Sequence, residues 1–67
     1  MEAFPVWTVV YITPNVTEAE TIRDHLSREG VLVRLRKIGP EDGDGQSLEI
    51  LVPEAEVGEA LEVLNTL

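Results

Sequence analysis

From residue 6 to residue 13 the chain reads Val6-Trp7-Thr8-Val9-Val10-Tyr11-Ile12-Thr13, with no charge and no polar side. β-Branched and aromatic residues suit a pleated surface, so the run predicts a strand. Plain alternation sends Val6, Thr8, Val10 and Ile12 one way and Trp7, Val9, Tyr11 and Thr13 the other. A strand that is apolar on both sides is expected at a sheet centre or under cover on both faces. After Pro14 the period changes. Val16, Ala19, Ile22 and Leu26 recur at three- and four-residue steps, the stripe of an amphipathic helix. Asn15 suits the N-cap, Glu18 can close a capping-box-like pair, and Gly30 can take the left-handed position past the last turn. The helix is therefore predicted over residues 16–29.

Residues 31–37 return to strand composition, with Val31, Val33 and Leu35 inward and Leu32, Arg34 and Arg36 outward. Residues 39–46 carry three glycines, a proline and three acids, which marks a loop, and the acids do not complete a calcium-binding spacing. Residues 48–52 form a third strand with Leu48, Ile50 and Val52 inward, making a hairpin with the second. A second helix is expected from Pro53, with Glu54 and Glu56 in its first turn and Val57, Ala60, Leu61 and Leu64 as its stripe. Gly58 within it suggests close contact with the sheet.

The order strand, helix, strand, strand, helix predicts one α+β domain over residues 1–67. It is a truncated ferredoxin-like βαββα fold: a three-stranded antiparallel sheet in order 1-3-2 with two helices on one face. Such a sheet leaves the outer edge of its first strand open, a template for pairing with another chain.

Thirteen acids against five bases give a net charge of −8, which disfavours nonspecific contact with nucleic acid or an anionic membrane. There is no cysteine, and one histidine, His25, so neither a disulfide framework nor a His or thiolate metal site is expected. No signal peptide is evident, and a cytoplasmic location is expected. Ser27 and Ser47 stand without an evident base. No catalytic set, metal site or cofactor is expected, and the chain reads as a non-enzyme.

What stands out is one sheet face. Trp7, Val9, Tyr11, Arg34, Arg36 and Leu51 share it under plain alternation, and aromatics beside arginines are what interfaces enrich. Asn15, at a helix N-terminus, is a possible anion contact.

Val9-Val10-Tyr11 followed by Pro14-Asn15, Glu18-Ala19-Glu20, Leu26 and Glu29-Gly30-Val31 resembles a family of small bacterial signal-transducing, PII-like domains of unknown function. Leu51-Val52-Pro53-Glu54, Glu59-Ala60 and Val63-Leu64 continue the likeness over nearly the whole chain. The resemblance implies the truncated fold and a signalling association, and it implies no activity. PII proteins hold ATP and 2-oxoglutarate through a long mobile loop and basic residues. Here the matching connection is short and acidic, with no base after Lys37. The expected function is thus a small protein-interaction or regulatory module, as a homodimer or with another protein partner. The expected contact is the open sheet face or the first-strand edge, with the face preferred. The alternative is a sensor of an anionic metabolite held near Asn15, Arg34 and Arg36.

Overall fold

The computed structural model describes residues 6–39 and 47–67. Its elements are β1 (Trp7–Thr13), α1 (Val16–Arg28), β2 (Arg34–Ile38), β3 (Ser47–Pro53), a 3-10 turn (Glu54–Glu56) and α2 (Val57–Asn65). The strands form one antiparallel sheet in the order β1-β3-β2, as the element order predicts. Both helices pack on one face of it. The expected lead-in over residues 1–5 and most of the expected loop, residues 40–46, lie outside the described residues.

The core forms against β3, the central strand. Leu48, Ile50 and Val52 point from it into a cluster with Ala19, Ile22 and Leu26 of α1, Val31, and Ala60 of α2. Val10, Leu35, Val57, Val63 and Leu64 pack around this cluster. Ala19 and Ala60, both fully buried, keep the helices close to the sheet.

Each end of α1 is closed by the chain itself. The Glu18 amide donates to Asn15 Oδ1 at 3.1 Å, which fixes the first turn. Thr13, buried at the end of β1, accepts from the Asn15 amide at 3.1 Å and donates through its hydroxyl to the Glu18 carboxylate. At the other end Gly30 has φ +87°, and the amides of Gly30 and Val31 donate to the carbonyls of Ser27 and Leu26. That is a Schellman closure, and its accompanying apolar contact is Val31 against Leu26, both in the core.

Two boundaries differ from the sequence expectation by more than one residue, the start of β2 and the start of α2. β2 begins at Arg34 rather than at residue 31, because Val31 is held in the helix closure and the Leu32 amide donates to Glu56 Oε1 at 2.9 Å. Pro53 ends β3 instead of opening a helix, and the acids at 54 and 56 occupy a 3-10 turn. Gly58 makes no close approach, since a Cβ there would meet nothing within 4 Å. Two stripe positions also miss the core: Val16 is 52% exposed and Leu61 49%. α2 packs over β1 and β3, so Leu61 overhangs the sheet margin, where no further strand lies beneath it.

Two substitutions check this packing. Leu26→Ala should cost about 2–5 kcal/mol, a large share of the total for a domain this small. Gly58→Ala should instead stabilise by roughly 0.5–1 kcal/mol, because the helix gains propensity without a clash. Both are read from urea unfolding followed by circular dichroism, and a neutral Leu26→Ala would contradict the core assignment.

Candidate functional site

The register of β1 against β3 slips by one residue partway along. Trp7, Thr8 and Val9 stand opposite Pro53, Val52 and Leu51, whereas Tyr11, Ile12 and Thr13 stand opposite Ile50, Glu49 and Leu48. Val10 is the extra residue of a β-bulge. Directly opposed residues share a face, so the slip exchanges the sides of everything that follows it. Tyr11 and Thr13 turn to the helix side with Ile50 and Leu48, and Ile12 turns to the open face beside Glu49.

This corrects the face that plain alternation assembles. Trp7, Val9, Arg34, Arg36 and Leu51 are together on the open face, and Ile12 joins them. Tyr11 is not with them. It lines a cleft of about 640 Å³ on the helix side, with Ile22 and His25 of α1 and with Leu64 and Leu67. Val10 and Leu61 border the adjoining hollow. The switch is what seats Thr13 beside the start of α1. A buried threonine hydroxyl just before a Pro-Asn cap must lie on the helix side to reach that cap, and plain alternation places it opposite.

On the open face the centre is already covered. The Arg34 guanidinium lies over the Trp7 ring, 5.6 Å from its centroid, reaching across β3 from the far strand. Leu51, between them and opposite both Val9 and Arg34, is only 4% exposed although no element among the described residues packs on that side of the sheet. The cation–π contact contributes about 0.5–1 kcal/mol, and the two long side chains shelter Leu51. Farther along the same face, Arg36 Nε donates to Glu49 Oε1 at 2.7 Å. Both arginines are therefore partnered within the chain.

Asn15 lies apart from them. It caps α1, which packs on the other side of the sheet, and its side-chain oxygen is taken by the Glu18 amide. The positive end of the helix faces the Glu18 carboxylate that Thr13 holds there. Asn15, Arg34 and Arg36 do not converge on a common space.

The remaining exposed apolar surface gathers at one margin. Val6, Val9, Tyr11 and Ile12 are exposed along β1, and Leu61 and Leu67 stand beside Tyr11 and Val10 on the helix side. Val16 and Leu32 are the other large exposed apolar residues among those described. Among the described residues β1 is an edge strand, so its outer backbone groups have no partner in the sheet. The margin thus combines an open hydrogen-bonding edge with apolar side chains on both of its sides, and β1 carries no charge. Acids lie mainly on the helices and the 3-10 turn, where Glu54, Glu56, Glu59 and Glu62 have no base among them. Among the described residues no helix is long and apolar enough to cross a membrane.

The Trp7–Arg34 contact can be tested directly, because Trp7 is the sole tryptophan. Arg34→Ala should red-shift its emission and lower stability by about 0.5–2 kcal/mol. An unchanged spectrum would show that the guanidinium does not shelter the ring. The chain matches no protein-family model, no curated protein and no solved structure, so its function is to be argued from the geometry of its own surface.

Proposed function

We propose that the chain is a small protein-interaction module with a regulatory role, of the kind the PII-like resemblance implies, and that it binds its partner along the β1 margin. One observation carries this reading: an unpaired strand edge has exposed apolar side chains on both sides, Val9 and Ile12 on one and Tyr11 and Leu61 on the other. Edge strands of single-chain domains are ordinarily blunted by charges, proline, an inward-pointing lysine or a β-bulge; β1 has no charge and no proline, and the bulge at Val10 is its one such device. Strand addition is the recognition mode this surface supports. Backbone hydrogen bonds give affinity, and pockets for alternate side chains give selectivity.

The open face contributes less than its composition suggests. Trp7 and Arg34 are used in covering Leu51, and Arg36 in pairing with Glu49, so Val9 and Ile12 are its free apolar groups. Both belong to β1. The preference therefore moves from the centre of the face to its edge.

Site-specific photocrosslinking in cells tests the reading. A benzophenone side chain at position 12 should give a discrete protein adduct, and the same group at position 20, on the exposed acidic side of α1, should not. Ile12→Lys, which places a charge on the edge, should prevent the adduct formed from a probe at position 9. Equal labelling from positions 12 and 20 would contradict the proposal.

A further inference from the structure

The bulge gives β1 a property that an unbroken strand lacks. From Thr8 to Thr13 the sides faced are helix, open, helix, helix, open, helix. Thr8 lies opposite Val52 and Thr13 opposite Leu48, both core residues; Val10 packs on the core, and Tyr11 lines the helix-side cleft. Val9 and Ile12, opposite Leu51 and Glu49, are the two open-face positions. This order is the same read in either direction.

A two-fold axis at the outer edge, between Val10 and Tyr11, would therefore pair β1 with the β1 of a second copy in antiparallel fashion without a mismatch of faces. Val9 would meet Ile12 of the partner, Val10 would meet Tyr11, and Thr8 would meet Thr13. Neighbouring registers fail. A shift by one residue sets open-face Val9 against helix-side Tyr11, and a shift the other way sets Val9 against Thr13. An isologous contact needs one self-complementary patch, and the bulge makes this strand such a patch.

We infer that the partner bound at the β1 margin is a second copy of this chain, joined β1 to β1 about the Val10–Tyr11 midpoint into a continuous six-stranded sheet. This rests on the margin being the binding surface. Charge supports a second copy joined at this place. Each chain carries −8, and β1 is the uncharged strand, whereas β2 carries Arg34, Arg36 and Lys37 and β3 carries Glu49. Within the sheet, β1 is thus the strand along which two copies pair without setting like charges opposite one another, and an acid close to that edge, Glu62 of α2, lines the hollow with Val10, Tyr11 and Leu61. The pairing run is short, with Pro5 before it and Pro14 after it in the sequence, and neither can donate to a ladder. A run of seven residues spans about 23 Å, which sets the contact at the small end of specific interfaces and gives a reversible dimer.

The native chain has no cysteine, which allows a direct test of the register. Val9→Cys and Ile12→Cys are made separately; both positions are exposed, and circular dichroism melts confirm that each variant folds. Opposed residues in an antiparallel pair have Cα atoms about 4.5–5.5 Å apart, inside the range that a disulfide bridges. An equal mixture of the two variants under mild oxidation should give mainly the mixed disulfide, several-fold faster than either variant alone. Sedimentation of the parent from about 10 µM to about 1 mM should show a monomer–dimer equilibrium that stops at two and tightens as salt screens the repulsion between acidic chains.

A parent that stays monomeric over that range overturns the second copy; adducts of a different protein at position 12 would then leave the margin reading standing. A parent that dimerises while each cysteine variant crosslinks to itself as fast as to the other overturns the register. Association that weakens with salt, and that survives Ile12→Lys, would place the contact between the arginine face and the acidic helices and would overturn both readings.

Discussion

One extra residue in β1 decides what each side of this sheet presents. β3 is the central strand, and its inward residues Leu48, Ile50 and Val52 are fixed by the core they build with both helices. β1 must pair with that strand and also deliver Thr13 to the start of α1, where its hydroxyl joins the Asn15 amide to the Glu18 carboxylate. An unbroken strand from Val9 would turn Thr13 to the open face. The bulge at Val10 resolves the conflict, because two residues oppose one at that point and every later side chain changes sides. Tyr11 goes to the helices and Ile12 to the open face as a consequence.

The fold was legible in the sequence because its signals are local. The period of the α1 stripe, Asn15 at one end and Gly30 at the other, and the loop composition between β2 and β3 each act within a few residues. The strand order followed from the chain's alternation of elements. What was not legible depends on contacts between distant residues. No glycine marks the bulge; Val9, Val10 and Tyr11 are all good strand formers, and the register is imposed by β3, some forty residues later. The start of β2 likewise moved because the Leu32 amide finds Glu56, far along the chain. Trp7, Val9, Arg34, Arg36 and Leu51 do share the open face that plain alternation gives them, whereas Tyr11 lies on the helix side and Ile12 stands on the open face in its place, an exchange that only the β3 register reveals.

The arrangement of charge and apolar surface follows from the same geometry. The two arginines of β2 are spent within the sheet, Arg34 on Trp7 and Arg36 on Glu49, which shields the middle of a face that no described helix covers. Apart from Val16 and Leu32, the large exposed apolar groups among the described residues lie along β1 or beside it, where α2 overhangs that strand. A domain of this size buries only about 60% of its unfolded surface, so added burial at that margin has a large effect on its stability.

The bulged register turns Tyr11 toward the helices while Trp7 and Val9 face away. The most direct measurement is the set of nuclear Overhauser contacts of the Tyr11 ring in the dilute chain. Contacts with the methyl groups of Ile22 and Leu64, together with Ile12 close to the Glu49 side chain, are the result the bulged register predicts. Contacts of the Tyr11 ring with Leu51 or Trp7 would mean an unbroken strand, and would contradict it.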